Sequence, residues 1–398
     1  MPTRSPPAAD PPRRDLTSPR PAAPPSANPW QEPRMESHRF EADVRQILHL
    51  VTHSLYSDRE IFLRELVSNA SDALDRARFE GLKNEELLEA AGEPGIQVTV
   101  DADAGTITIS DDGIGMTQEQ VVEHLGTIAH SGTKAFAEAL KAKGENAEGL
   151  IGQFGVGFYS AFMVADKVTV DTRSALPGSE PVLWESDGGD AYDMAPGSRE
   201  TRGTTVTLHL REDAAEFLDE DKLRDIIGKH SDFVAWPVKV GDERANQEAA
   251  LWTRNPSEVT DDEYKAFYRH ISNDWQDPLA WLHVRVEGTV QFSAVLYLPR
   301  SRPWELDRLD FKVGLKLYQK RVMILEHADQ LLPRNLRFVT GVVDAPDVSL
   351  NVSREMLQQT ALVEAIKKQL TKRVLKKLEE VSRTAPEDYD KAWSEYGH

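Results

Sequence analysis

Three short stretches of this sequence carry residue types whose spacing could support chemistry. In the first, Glu65, Asn69 and Asp72 recur at i, i+4 and i+7, so a helix would place all three on one face. Apolar residues flank that line, and asparagine is a poor helix former, which favours a functional use of the face. A solvated polar face is the alternative interpretation of such a stripe on its own.

The second stretch, Asp111 to Met116 (Asp-Asp-Gly-Ile-Gly-Met), follows an alternating strand pattern. A carboxylate at the end of a strand can present a charged acceptor, while the glycines allow backbone and ligand to approach closely. An ordinary Asp-Gly turn is the alternative for this stretch taken alone.

The third stretch runs from Gly152 to Phe158 with the spacing Gly-x-x-Gly-x-Gly. This reverses the Gly-x-Gly-x-x-Gly order of dinucleotide-binding loops, and the chain contains no Gly-Lys-Ser/Thr of a Walker loop. The pattern predicts a glycine-rich turn that enters an apolar helix and whose free amides could hold phosphate oxygens. A tight helix-packing turn is the alternative.

The elements that would position these residues follow from periodicity. An apolar stripe from Phe40 to Leu55 predicts one helix, and Ser57 with Glu60 forms a capping-box pattern for a second. Alternation over 96–100 and 106–109 predicts a hairpin closed by Asp103-Ala104-Gly105, and further strands are expected at 167–171 and 204–210. Thr117 with Gln120 predicts a short helix that ends before Gly126. Helices first and antiparallel strands later indicate an α+β fold and argue against a doubly wound sheet.

A polar stretch at 241–250 is expected to be a linker, and the apolar periodicity of helices and strands begins again after it. Thr260 and Glu263 predict a capped helix that ends near Ser272, and two strands are expected on either side of Glu287-Gly288. The chain ends in a helix whose apolar stripe comprises Ile366, Leu370, Val374, Leu378 and Val381.

Composition excludes several classes of function. The 398 residues hold 47 Lys and Arg against 66 Asp and Glu, a formal charge of −19, so nucleic acid and anionic membranes are poor partners. The chain has no cysteine, which excludes disulfides and thiolate zinc sites and favours the cytoplasm. Residues 1–34 hold 11 of the 23 prolines and are expected to form a disordered, Pro-rich tail. An Arg-rich transit peptide is the minority interpretation of that tail, and the preferred one is a dispensable extension before a folded protein that begins near Met35.

Taken together and in order, the three stretches resemble the ATP site of the gyrase/chaperone/histidine-kinase/MutL superfamily. The amino-acid sequences of Glu65–Leu74, Gly126–Thr133 and Gly152–Phe162 are similar to those of the 90-kDa heat-shock protein chaperones, in particular the bacterial HtpG branch. Trp252–Pro256 (WTRNP) and Leu350–Gln359 (LNVSREMLQQ) resemble the middle domain of that family. The resemblance covers nearly everything from Met35 onward.

The resemblance implies roles for individual residues. Asp111 would accept the exocyclic amine of adenine, Asn69 would bind magnesium, and Glu65 would activate the attacking water. Further ATP contacts are implied for Asp72, Gly115, Met116, His124, Thr127, His130, Ser131, Gly132, Gly155, Val156, Gly157, Phe158 and Thr204. His130 replaces the usual lysine of the family, which puts one phosphate contact in doubt because neutral imidazole has no fixed charge.

Two further functional parts are implied. The stretch Thr117–Lys143 would form a lid over the nucleotide. From the middle domain, Arg354 and Gln358 would approach the γ-phosphate and couple hydrolysis to domain docking. Without the resemblance, a surface ion pair from Arg354 to Glu355 or Asp347 would be the preferred interpretation.

The implied whole is a slow ATPase that acts as a molecular chaperone in the heat-shock response. It would use ATP/ADP and Mg²⁺ and bind unfolded client proteins and other chaperones. The domains would be a two-layer α/β sandwich of the Bergerat type at 35–240 and an incomplete α/β middle domain at 251–398. The family is a homodimer through a C-terminal domain beyond this sequence, so we expect a largely monomeric protein with weak activity. Another superfamily ATPase, such as a histidine kinase or a DNA-coupled enzyme, and a holdase without turnover are the alternatives.

Overall fold

The computed structural model describes residues 58–82, 84, 93–126, 157–189, 191–247, 250–302, 306, 311–348 and 360–397, and the backbone of 36–39. Contacts between Cα atoms divide the chain into Met1–Arg34 and Met35–His398, and every described residue belongs to the second unit. The expected tail at 1–34 and the expected helix from Phe40 to Leu55 lie outside the described residues.

The described residues form a first sheet of nine strands, in the order β1-β6-β5-β4-β7-β3-β2-β8-β9. Neighbouring strands run antiparallel except for β2 and β8, which are parallel. The strands are β1 Glu36–Arg39, β2 Ile96–Asp101, β3 Thr106–Asp111, β4 Ala165–Arg173, β5 Val182–Ser186, β6 Ala191–Pro196, β7 Gly203–Leu210, β8 Val238–Val240 and β9 Glu243–Arg244. The expected hairpin is confirmed, with Ile96 opposite Asp111 and Asp101 opposite Thr106.

Helices pack on this sheet and position the site. They are α1 Ile61–Gly81, α2 Gln118–Leu125 and α3 Glu220–His230, together with 3₁₀ helices at Gly157–Met163 and Glu212–Leu218. The apolar side of α1 is fully buried at Phe62 and Val67, and the Phe62 ring meets Phe217 edge-on at 5.2 Å. Burial on this scale stabilises the helix far more than local propensity does.

Two local expectations have different outcomes. The capping box at the start of α2 is confirmed, because Thr117 and Gln120 exchange both bonds and the helix ends before Gly126. The capping box expected for α1 is wrong in its Glu60 half. Glu60 is itself the N-cap residue and makes no side-chain cap bond, because its carboxylate binds Lys222 and Lys229 from α3.

A second sheet has the order β10-β11-β14-β12-β13 among the described residues. Its strands are β10 Ala280–Val286, β11 Phe292–Leu298, β12 Leu315–Gln319, β13 Val322–Leu325 and β14 Thr340–Asp344, and the accompanying helices are α4 Asp261–Ser272, α5 Ala361–Thr384 and α6 Pro386–Tyr396. The Thr260–Glu263 capping box of α4 is confirmed. The stripe expected at the end of the chain faces inward on α5, with Ile366, Leu370 and Val374 fully buried.

The segment expected as a linker is folded against the first sheet. Strand β9 pairs with β8, and Asn246 is buried, where its amide donates to the carbonyls of Val234 and Trp236. The polar residues of this segment therefore satisfy buried backbone groups, which sequence polarity alone does not distinguish from solvation. As predicted, the architecture as a whole is mixed α+β.

Candidate functional site

Helix α1 carries the first group of candidate residues. Glu65 is 1% exposed and Asp72 is 4% exposed, while Asn69 between them is half-buried. A solvated polar face is therefore the wrong interpretation for the two acids. Because burying a carboxylate costs free energy unless it is paired or bonded, these positions need partners.

Glu65 has its neighbour in sequence as an ion-pair partner. Arg64 Nη2 lies 2.9 Å from Glu65 Oε1, and both side chains are 2% exposed. On the other side of the carboxylate, a Cβ at Gly157 would lie 2.4 Å from Glu65 Oε2, so a larger residue there would collide with it. Arg64 was missed by sequence reasoning, although an arginine inside the apolar run Phe62-Leu63-Arg64 is a signal for a buried partner.

Asp111 ends β3 and is the second candidate. Its Oδ1 accepts a hydrogen bond from the Gly113 amide at 2.8 Å, and the side chain is almost completely buried. Burial raises the pKa of this carboxyl to about 7, against the lowering effect of the Gly113 bond and of Arg199. The result is a buried carboxyl that is close to its midpoint at neutral pH.

The glycines of the Asp111 turn are explained by packing within the protein. A Cβ at Gly113 would lie 2.5 Å from the Ala73 Cβ of α1. Gly115 has φ +62°, and a Cβ there would lie 1.9 Å from the Arg173 carbonyl oxygen. The Ile114 amide donates to the Ala73 carbonyl at 3.0 Å. The glycines therefore let this turn lie between α1 and the end of β4.

Thr204 lies directly opposite Asp111 in the pairing of β7 with β3. Its hydroxyl is 3.0 Å from the hydroxyl of Thr172 on β4, which in turn accepts the Met116 amide at 3.1 Å. Sequence reasoning missed Thr172, because its role depends on a strand pairing between distant parts of the chain. Thr172 joins Met116 to Thr204, and the strand pairing places Asp111 beside Thr204 at the same end of the sheet.

His124 lies within the expected lid, and Tyr159, the residue after Phe158, contacts the end of α2. His124 is half-buried in the last turn of α2, and the Tyr159 hydroxyl donates to the Leu125 carbonyl at 3.0 Å. The segment that begins at Gly157 is a seven-residue 3₁₀ helix, where the sequence predicted an ordinary apolar helix. Its tighter turns fit the Gly157 contact with Glu65 described above.

Several candidate residues lie outside the described residues. They are Thr127, His130, Ser131, Gly132, Gly155 and Val156 of the lid and glycine-rich loop, and Arg354 and Gln358 of the second half.

A separate titratable cluster comprises Asp58, Glu60 and His230, whose ligand atoms lie within 4.8 Å of one another. Lys222 and Lys229 approach Glu60 at 2.7 and 3.0 Å, so ammonium groups already balance the carboxylates where a cation would bind. Burial lowers the pKa of His230 to about 4, and the charges of Arg64 and Lys229 act in the same direction. We interpret the cluster as an ion-pair network around a neutral histidine.

Comparisons with known proteins show which families this chain is similar to. A family model described as "Histidine kinase-, DNA gyrase B-, and HSP90-like ATPase" matches residues 56–179, and one described as "Hsp90 protein" matches 239–398. The "Chaperone protein HtpG" of Shigella dysenteriae serotype 1 (strain Sd197) is 51% identical over 377 residues, which is 91% of this chain. The chain belongs to the Hsp90 family. The protein of the same name from Escherichia coli (strain K12) is 50% identical over an equal length.

The extent of the matches bears on the site. This Hsp90-family chain spans 60% of the length of the relatives it matches. The ATPase match contains Glu65, Asp111 and Gly157, and the Hsp90 match contains Arg354, while Thr204 lies between the two. Within the described ranges, no helix combines the length and the apolar character needed to cross a bilayer.

Proposed function

We propose that this chain is an ATP-dependent molecular chaperone in which ATP binding and slow hydrolysis drive lid closure and domain docking that remodel client proteins. The observation that carries the proposal is the meeting of α1, the Asp111 turn and Thr204 at one end of the first sheet. Family membership and the HtpG relatives support the chaperone part of the proposal.

Asp111 is the proposed adenine contact. A buried carboxylate beside a glycine turn offers a charged acceptor to the exocyclic amine, and a hydrogen bond to a charged group contributes about 1.5–3 kcal/mol. Thr204 lies opposite Asp111 in the β3–β7 pairing, and Thr172 joins Met116 to Thr204; Met116 and Thr204 form the rest of the proposed adenine side. Gly115 contributes through the shape of the turn.

Asn69 and Glu65 are proposed to serve the phosphate end. Asn69 is half-buried one helical turn after Glu65, and its amide oxygen is a hard ligand suited to magnesium. When bound, magnesium neutralises charge on the phosphates. Glu65 would orient and deprotonate the attacking water, with Arg64 fixing its carboxylate. Asp72 would add a further buried acceptor on the same helix.

The remaining contacts are proposed from the family resemblance. Backbone amides of the Gly155–Phe158 loop would hold phosphate oxygens. A lid formed by Thr117–Lys143 would contribute His124, Thr127, His130, Ser131 and Gly132. Arg354 and Gln358 would approach the γ-phosphate from the second half of the chain, and so link turnover to domain docking.

The proposed organisation is a tail at 1–34, an ATP-binding domain at 35–240, a connecting segment at 241–250 and middle-domain sequence at 251–398. Proposed partners are unfolded proteins and other chaperones, in the bacterial cytoplasm. Neither nucleic acid nor membrane is a proposed partner of a chain with a net charge of −19.

The experiment that tests the proposal measures phosphate release from magnesium-ATP by the full chain and by Arg354→Ala. We expect slow turnover in the wild type and a loss of turnover without a loss of ADP affinity in the variant. Absence of both ADP binding and turnover in the folded wild type would contradict the proposal. If Arg354→Ala weakens ADP binding as strongly as turnover, the proposed role of that residue is wrong.

A further inference from the structure

Arg199, in the segment between β6 and β7, lies against the backbone of the Asp111 turn. Its side chain is 10% exposed. One terminal nitrogen, Nη2, donates to the Asp111 carbonyl at 2.5 Å, and Nη1 donates to the Ser110 hydroxyl at 3.1 Å and to the Thr205 hydroxyl. A single guanidinium therefore joins the last two residues of β3 to the start of β7.

The same segment supplies a second buried guanidinium. Arg202 is 6% exposed, and its Nη1 donates to the Gly113 carbonyl at 3.0 Å. The Nε of Arg199 donates to the Thr201 carbonyl at 3.2 Å. The two guanidinium groups therefore donate to three oxygens in and beside the turn: the Ser110 hydroxyl and the carbonyls of Asp111 and Gly113.

The charges around Asp111 come from several elements. On its own turn, Asp112 disfavours ionisation, while Arg199 favours it, with Nη2 at 3.7 Å from Asp112 Oδ1. Arg202 also interacts electrostatically with both acids. Helix α1 contributes the buried Asp72 next to the Ala73 contact, and on β4 the Arg173 guanidinium donates to the carbonyls of Ser179 and Glu200.

This balance matters because the proposed adenine contact depends on the charge of Asp111. Burial already moves the pKa of its carboxyl to about 7, so the ionised and protonated forms are nearly equally populated at neutral pH. In a dry environment a nearby cation acts strongly on such an equilibrium. Loss of one positive charge would therefore reduce the fraction of carboxylate available to a ligand.

We propose that Arg199 is a positioning residue for nucleotide binding, which fixes the Asp111 turn against β7 and keeps the Asp111 carboxylate in its charged, amine-accepting form. This inference rests on the proposed function, because it assumes that Asp111 contacts adenine. It adds a pH dependence to that contact and assigns its cause to one side chain outside the three predicted stretches.

The test is calorimetric titration of the full chain with ADP and magnesium at several pH values from 6.0 to 8.5. Arg199→Gln keeps a donor of similar shape and removes the charge. We expect ADP affinity to fall about fivefold at pH 7. About half of the Asp111 carboxyls are ionised there in the wild type, and the loss of the Arg199 charge lowers that fraction. The deficit should shrink as the pH approaches 8.5, and Arg199→Lys should restore most of the affinity at pH 7. The matched control is Arg173→Gln, which should leave the pH profile unchanged.

Asp112→Asn gives an independent test that keeps Arg199 in place. Removing the neighbouring negative charge should strengthen ADP binding below pH 7 and leave it unchanged at pH 8.5. A deficit in Arg199→Gln that is equal at all pH values, or a failure of Arg199→Lys to restore affinity, would overturn the inference. If ADP binds the wild type and Asp111→Asn equally well, the proposed function itself fails, and that result is distinguishable from either outcome.

Discussion

Arg64 and Glu65 form a buried ion pair between consecutive residues of α1, with Nη2 2.9 Å from Oε1 and both side chains 2% exposed. Successive residues of a helix point about 100° apart, so the two long side chains must bend toward each other to meet. The protein thereby places a fixed positive charge against the carboxylate proposed to activate water.

Breaking this pair should be costly to stability. Arg64→Met removes the buried cation that lies 2.9 Å from the Glu65 carboxylate, and the loss of one member of a buried ion pair is expected to lower the free energy of unfolding by about 3–5 kcal/mol. The double variant Arg64→Met/Glu65→Leu should recover part of that loss, because it removes the buried carboxylate together with the buried cation. Arg383→Met, in a pair with Glu379 whose side chains are 69% and 67% exposed, is the control and should cost less than about 1 kcal/mol. Equal losses in Arg64→Met and the control, measured by urea unfolding, would contradict the argument.

Glu65→Gln should separate turnover from binding. The amide keeps the shape of the side chain but cannot take a proton from water, so we expect phosphate release to fall at least about a hundredfold. ADP affinity should change by less than about threefold, since no major binding contact is proposed for Glu65. Turnover is measured by phosphate release and affinity by calorimetry. A parallel loss of both quantities would refute the assigned role.

Gly115→Ala tests whether the Asp111 turn depends on its tight packing. A Cβ there would lie 1.9 Å from a backbone oxygen at φ +62°, so the free energy of unfolding should fall by about 3 kcal/mol or more. Gly105 is the matched control, because it has φ +65° and nothing within 4 Å of the added carbon. Gly105→Ala should therefore cost about 1–2 kcal/mol, the left-handed backbone penalty alone. Thermal and urea unfolding of both variants would measure the difference, and equal costs would exclude the steric explanation.

His230 should make stability depend on pH. Its pKa in the folded protein is about 4, below the 6.5 of the free side chain, because burial disfavours the charged form. The stabilising contribution is therefore complete above pH 6.5 and is lost as the pH falls toward 4, with about 2 kcal/mol lost at pH 5. His230→Leu should remove this dependence between pH 7 and pH 5, while the control His209→Gln should keep it. A wild type and a His230→Leu variant with parallel pH profiles would contradict the prediction.

Much of the fold was predictable because its signals are local. The β2–β3 hairpin and the capping boxes at Thr117 and Thr260 are encoded within a few residues of one another, and all three are confirmed. Glu60 fits the same capping pattern, yet its carboxylate binds Lys222 and Lys229, which lie 162 and 169 residues further along the chain. A tertiary ion pair there outcompetes a local bond, and no short sequence window contains both partners.

In the candidate site, too, features set by local sequence were predicted and features set by distant contacts were missed. Glu65 and Asp111 stand out from helix spacing and from a strand-end turn, and the structure buries both. Arg199 and Thr172 contact the Asp111 turn through hydrogen bonds that join residues far apart in sequence. The glycines at 113 and 115 were expected to make room for a ligand, whereas the structure assigns them a packing role against Ala73 and Arg173.

The proposed adenine contact is the central claim, and calorimetric titration of the full chain with magnesium-ATP tests it most directly. Asp111→Asn keeps the shape of the side chain and removes its charge, so affinity should fall about ten- to hundredfold relative to the wild type. Asp103→Asn, in the exposed β2–β3 turn, is the control and should bind as the wild type does. Equal affinities in the wild type and Asp111→Asn would contradict the account.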